Sequence, residues 1–88
     1  MAMPEISRFY GIRITINWLD HVPPHFHAEH GVHRASVSIS TGEIIEGQLP
    51  RTAARLVKEW ALERKSELES AWQSAQSHRQ PQHIAPLE

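Results

Sequence analysis

The most regular pattern of hydrophobic and polar positions lies near the start of the chain. Four large apolar side chains alternate there with polar ones: Ile12, Ile14, Ile16 and Trp18. Because successive side chains of a β-strand point to opposite faces of the sheet, this period of two predicts a half-buried strand over residues 12–18. The residues just before Gly11 are interpreted as a lead-in that bends into this strand.

Three further strands are predicted after a loop that contains two consecutive prolines, Pro23 and Pro24. Proline has no backbone N–H and a fixed φ, so the pair indicates a rigid loop rather than sheet interior. The later strands cover residues 25–30, 34–40 and 43–49, and glycine-containing turns separate them. The pattern therefore predicts an antiparallel meander of about four strands.

The second half of the chain has a helical pattern. From residue 51 to residue 76, apolar side chains recur at spacings of three and four, which places them on one stripe of an amphipathic helix. Pro50 suits the first turn of this helix, where a missing N–H loses no hydrogen bond. The stripe is interrupted at Arg64, Lys65 and Ser66, so a kink or a division into two shorter helices is compatible with it.

These patterns together predict an α+β fold. A small antiparallel sheet of about four strands is followed by one long C-terminal helix, kinked or straight, that packs on one face of the sheet. Residues 1–79 are predicted to form this single domain, and residues 80–88 an irregular C-terminal tail. A chain of 88 residues can bury one modest core and no more.

Composition narrows the function classes. The chain has no cysteine, which excludes disulfides and thiolate metal sites, and its formal net charge of −1 argues against an architectural nucleic-acid binder. No stretch approaches the roughly 20 apolar residues of a membrane span, and the first residues are unlike a signal peptide. We therefore expect a cytoplasmic protein with no membrane partner.

Histidine is the one residue type in clear excess. Five of the seven histidines lie within thirteen residues: His21, His25, His27, His30 and His33. If residues 25–30 are extended, His25 and His27 share one face of the sheet, with Asp20 and His21 in the loop before them.

Three interpretations of this group are open. The first is metal-independent acid–base catalysis, such as RNA cleavage, by His25 and His27 with help from His21 and Asp20. Phosphate would then be bound by three arginines: Arg8, Arg13 and Arg34. The second is a divalent metal ion at His25 and His27, whereas the first needs no cofactor. The third is structural, with the histidines and Asp20 making hydrogen bonds that hold the proline loop.

The chain also resembles a known family. Residues 3–12, 20–28 and 41–50 look like the bacterial domain-of-unknown-function 4160 family, and residues 56–60 and 84–87 continue the resemblance. It covers nearly the whole chain. Its most specific segment is Asp20-His21-Val22-Pro23-Pro24-His25-Phe26-His27.

The resemblance implies a function and a set of residues. Members are small bacterial proteins, often encoded beside a protein of the domain-of-unknown-function 2442 family, and the pair resembles a type II toxin–antitoxin module with this protein in the toxin position. A cognate antitoxin protein is therefore the implied partner. The family's signature polar positions fall on Asp20, His21, His25 and His27.

Two functional hypotheses follow. One is a toxin that acts on RNA, free or on the ribosome, through the histidines. The alternative is a non-catalytic protein-binding or regulatory module whose histidine corner is structural or binds a metal. A homodimer through a sheet edge or the helix is compatible with either hypothesis.

Overall fold

The structure is a computed structural model that describes residues 4–88. It contains a five-stranded antiparallel sheet whose strands are neighbours in chain order, followed by two helices. The strands are β1 (Glu5–Phe9), β2 (Ile12–Thr15), β3 (His25–His30), β4 (His33–Ser38) and β5 (Ile44–Gln48); the helices are α1 (Arg51–Glu63) and α2 (Lys65–Gln76). The α+β class is therefore confirmed, but two details of the predicted architecture are wrong.

The first error is the number of strands. The segment interpreted as a lead-in is strand β1, which pairs antiparallel with β2 and sets Phe9 opposite Ile12. Its register shifts between Glu5 and Ser7, and Ile6 and Ser7 are both buried. Because this irregularity breaks the period of two, the hydrophobic pattern did not show that the segment is a strand.

The second error is the single long helix. Arg64 has φ −109° and ψ 24°, outside the helical range, and separates α1 from α2. Its backbone N–H donates to the Trp60 carbonyl and so closes α1. The break lies between Ala61 and Leu68, a stretch in which no helical residue is buried, so core packing does not hold one continuous helix there.

The core lies between the helices and one face of the sheet. The ring of Trp60 on α1 contacts Phe9 and Phe26, with centroids 5.2 and 5.6 Å apart. Phe26 and Ala28 of β3 are fully buried on this side. Since side chains alternate along a strand, His25 and His27 are directed to the other face.

The C-terminal residues lie against the domain without regular secondary structure. The backbone N–H of Ile84 donates to the carbonyl of Ile6 at 2.7 Å, and Trp60 Nε1 donates to the Ala85 carbonyl at 2.8 Å. Ile84 and Leu87 are buried. A boundary at residue 79 stays a prediction.

Candidate functional site

Strand β3 positions the two central histidines. Its register sets His27 between Thr15 of β2 and Ser36 of β4, with His25 opposite Ser38. His25 is 8% exposed and His27 9% exposed, so both rings are nearly enclosed. The predicted shared face of the two rings is therefore present, and neither ring is an open surface group.

Asp20 reaches the histidines from a loop that is hydrogen-bonded to helix α2. The side-chain amide of Gln76 donates to the Asp20 carbonyl at 3.0 Å, and the backbone N–H of Leu19 donates to the Ala75 carbonyl at 3.4 Å. The Asp20 side chain is only 15% exposed. Tertiary contacts with α2 thus bring this carboxyl group to the beginning of β3.

One oxygen of Asp20 contacts both rings. Asp20 Oδ2 lies 3.0 Å from His25 Nε2 and 3.1 Å from His27 Nε2. The other oxygen, Oδ1, accepts the backbone N–H of His21 at 2.9 Å. We call Asp20, His25 and His27 the histidine cluster. Its three polar groups converge on a single region.

The remaining ring nitrogens also have partners. His25 Nδ1 donates to the Pro23 carbonyl at 2.7 Å, while His27 Nδ1 lies 3.3 Å from Ser36 Oγ. His27 Nε2 is in addition 3.2 Å from Asn17 Nδ2. All four ring nitrogens of the cluster therefore lie within about 3.3 Å of a protein group, and a substrate could reach none of them without a rearrangement.

The electrostatics favour an ionised Asp20. Burial raises the pKa of its carboxyl group, but hydrogen bonds from His27 and from the His21 backbone, together with the charges of the two neighbouring imidazoles, outweigh burial. The pKa of Asp20 is therefore below its ordinary value. At neutral pH the cluster contains a carboxylate, so its hydrogen bond with His27 is charge-assisted.

The three predicted phosphate-binding arginines form ion pairs with two glutamates. Arg13 contacts Glu5 at 3.0 Å and Glu29 at 3.3 Å, Arg8 contacts Glu5 at 2.7 Å, and Arg34 lies 3.7 Å from Glu29. We call these five residues the arginine chain. Glu29 follows His27 by two residues on β3 and lies opposite Arg13 and Arg34. The arginine chain therefore lies on the same face of the sheet as the histidine cluster.

The other histidines differ from His25 and His27. His21 is exposed, and its backbone N–H rather than its ring contacts Asp20. His30 lies at the far end of β3, and His33 begins β4. Within residues 4–88, the group able to offer three metal ligands consists of the histidine cluster alone.

Three neighbours of the cluster were not predicted. The contact between Ser36 and His27 could have been predicted from the two-residue turn Gly31-Val32, because this turn pairs His30 with His33 and so sets His27 opposite Ser36. The strand predicted over residues 12–18 ends at Thr15, so Asn17 lies in the segment that follows β2. Trp72, whose ring centroid is 5.4 Å from that of His25, comes from α2, and no local pattern indicates this contact.

The fold and site define a small α+β domain with a buried histidine–carboxylate cluster at one end of its sheet. The chain belongs to the family described as a domain of unknown function (DUF4160), whose model matches residues 11–73. That match contains the whole cluster. No curated protein and no solved structure matches the chain. In the described part of the chain, neither helix has the length and hydrophobicity needed to cross a membrane.

Proposed function

We propose that this protein is a protein-binding module, the toxin component of a bacterial type II toxin–antitoxin module, and that its histidine cluster shapes the binding surface instead of catalysing a reaction. In this proposal the protein acts in the cytoplasm and is neutralised by a small antitoxin protein. The toxin role follows the family resemblance. The role of the histidine cluster in shaping a binding surface is inferred from the exposed side chains and the hydrogen bonds of the loop at residues 19–22.

Exposed apolar side chains on both sides of Asp20 are the observation that carries this proposal. Leu19 is 53% exposed and Val22 is 80% exposed, although the aspartate between them is mostly enclosed. Leu19 also has φ 55°, a left-handed conformation that costs a leucine free energy. The loop therefore directs two apolar side chains to solvent while its polar residue points inward, an arrangement suited to contact with an apolar patch of a partner.

The hydrogen bonds of the cluster support a positioning role. Asp20 connects the loop to β3 through His25 and His27, and Gln76 connects the same loop to α2. A general acid or base needs a ring nitrogen within hydrogen-bond reach of its substrate. Here each ring nitrogen contacts a protein group instead.

RNA cleavage by His25 and His27 is the competing hypothesis. One observation favours it: Arg13 and Arg34 lie on the same sheet face as the histidines. Both arginines are paired with Glu29, however, so phosphate would have to compete with a carboxylate already in place. This competition weakens the case for a phosphate site.

A matched pair of valine variants tests the proposal. Val22→Asp puts a charge on the loop, and Val32→Asp puts the same charge on the β3–β4 turn, where Val32 is 97% exposed. We expect the purified protein to bind the protein encoded beside it, and Val22→Asp to weaken that binding about 100-fold because a charge must then be desolvated. Val32→Asp is expected to change affinity less than about threefold. Isothermal titration calorimetry measures both.

Growth and RNA assays separate the two hypotheses. Expression of the wild-type chain alone is expected to arrest growth, and co-expression of the neighbouring gene to relieve the arrest. Equal loss of binding in both valine variants would overturn the assignment of the loop. RNA degradation by the wild-type protein that disappears in a folded His27→Ala variant would instead establish the catalytic hypothesis.

A further inference from the structure

We propose that Asp20, His25 and His27 bind one divalent transition-metal ion, with zinc as the best match. The inference rests on the donor atoms of the cluster and does not depend on the proposed function. One ligand atom from each of the three residues lies within 4.8 Å of the others. Two imidazole nitrogens and one carboxylate oxygen are an established ligand set for zinc, and they leave one position of a tetrahedron open.

The hydrogen bond to Pro23 determines which nitrogen of His25 faces the cluster with a lone pair. A carbonyl oxygen only accepts, so His25 Nδ1, 2.7 Å from the Pro23 carbonyl, carries the ring proton. In the neutral ring Nε2 is then unprotonated, and it lies 3.0 Å from Asp20 Oδ2, another acceptor. A cation between these two acceptors removes their repulsion. A ring N–H bonded to a backbone carbonyl is also the usual way to orient a metal-binding histidine.

Asn17 supplies a second and independent observation. Its Oδ1 is buried and has no hydrogen-bond partner within residues 4–88, although its Nδ2 lies 3.2 Å from His27 Nε2. Rotating the terminal amide by about 180° exchanges nitrogen and oxygen. The oxygen then faces the same region as the ligand atoms of the cluster, where it can serve as a fourth, neutral ligand.

The distances fit a small ion. Zinc lies about 2.0–2.2 Å from nitrogen and oxygen ligands, so neighbouring ligands of a tetrahedral site are roughly 3.3 Å apart. The two distances from Asp20 Oδ2, 3.0 Å to His25 Nε2 and 3.1 Å to His27 Nε2, need to widen by only a few tenths of an ångström. Imidazole ligands disfavour magnesium and calcium, which prefer oxygen. Magnesium is therefore the natural negative control.

Metal titration of the untagged, metal-free full-length protein tests the inference. We expect calorimetry to show one zinc ion per chain, no heat from magnesium, and a Tm higher by roughly 10 °C with zinc in about 100-fold excess over its Kd. Asp20→Asn, which keeps the side-chain shape but removes the charge, should weaken zinc binding at least about 100-fold. His30→Ala, on the same strand, should bind zinc as the wild type does.

Nitrogen NMR of the wild-type protein gives a second readout that no variant can compromise by misfolding. Zinc is expected to shift the Nε2 resonances of His25 and His27, to leave His25 Nδ1 protonated, and to leave His30 unchanged. Absence of zinc uptake by the wild type, shifts confined to other histidines, or undiminished binding by folded Asp20→Asn would each overturn the site. Val22→Asp should retain zinc binding, so failure of the partner surface and failure of the metal site are distinguishable.

Discussion

Strand β3 carries two polar networks on one face, and they differ in burial. At its beginning, the side chains of His25 and His27 of the histidine cluster are 10% and 11% exposed. Towards its end, Glu29 belongs to the arginine chain, in which Arg13 is 35% exposed and Arg34 is 51% exposed. Both networks pair charges or ionisable groups at about 3 Å. Only the cluster does so largely out of contact with water.

Contacts of similar length in the two networks are expected to contribute differently to the stability of the fold, because the networks differ in burial. When the partner of an arginine in the arginine chain is removed, water can solvate that arginine. Each ion pair of the arginine chain therefore contributes little to the stability of the fold. A buried carboxylate or hydroxyl that loses its partner has no such replacement, and the full cost of desolvation remains. We therefore expect substitutions in the two networks to differ several-fold in effect, although both networks include residues of β3.

The largest effect is expected for His27→Ala. The substitution removes a hydrogen-bond partner from both Asp20 and Ser36 and leaves a cavity in a nearly enclosed site. We expect the free energy of unfolding to fall by about 2–4 kcal/mol, measured by urea denaturation of the metal-free protein. His33→Ala, half-buried at the start of β4, is the control and should cost less than about 1 kcal/mol. A loss below about 1 kcal/mol in His27→Ala would contradict the role assigned to burial.

A smaller effect is expected for Arg13→Ala. Arg13 makes two ion pairs, one with Glu5 and one with Glu29, yet its side chain is about a third exposed. We expect a loss of only about 0.5–1 kcal/mol in the same denaturation experiment. This loss should shrink in about 1 M NaCl, where exposed charges are screened, whereas the His27→Ala effect should persist. A salt-independent loss above about 2 kcal/mol would show that the arginine chain behaves like the buried cluster.

The smallest effect is a pH dependence at the exposed end of the arginine chain. The hydrogen bond from Arg8 is the largest cause that lowers the pKa of Glu5 to about 2. Desolvation opposes it, while the hydrogen bond from Arg13 and the charges of both arginines add to the lowering. Since this pKa is lower in the folded than in the unfolded state, the contribution of Glu5 to stability is present above pH 4.5 and is lost as the pH falls towards 2. Carbon NMR of the carboxyl group measures the midpoint. In Arg8→Ala it should move back towards 4.5, and an unchanged midpoint would exclude Arg8 as the main cause.

Much of the sheet was predictable because its signals are local. The strand over His25–His30 and the shared face of His25 and His27 follow from the period of two, and the structure confirms them. Strand β1 was missed because the register shift after Glu5 interrupts that period. The apolar stripe of the helical segment is interrupted at Arg64, where the two helices separate. The spacing of apolar residues alone could not decide between a kinked helix and two helices.

The site was predictable only in part. Asp20 and the two histidines were proposed together because they lie close in the chain, and the structure places them within hydrogen-bond distance. His21 was proposed with them, yet the structure shows an exposed residue that contacts Asp20 through its backbone N–H. Which arginine pairs with which glutamate depends on strand register, and composition does not reveal the register.

The sequence by itself determined the α+β class, the polar and apolar faces of β3, and the residues from which a site could be built, since each depends on alternation or on proximity along the chain. Only the tertiary structure decided how those residues are used. Helix α2 holds the Asp20 loop against β3 and places Trp72 beside His25, contacts between segments about 50 residues apart. These long-range contacts bring the Asp20 carboxyl group to both rings and leave Leu19 and Val22 exposed, because packing, unlike local periodicity, sets which groups water can reach.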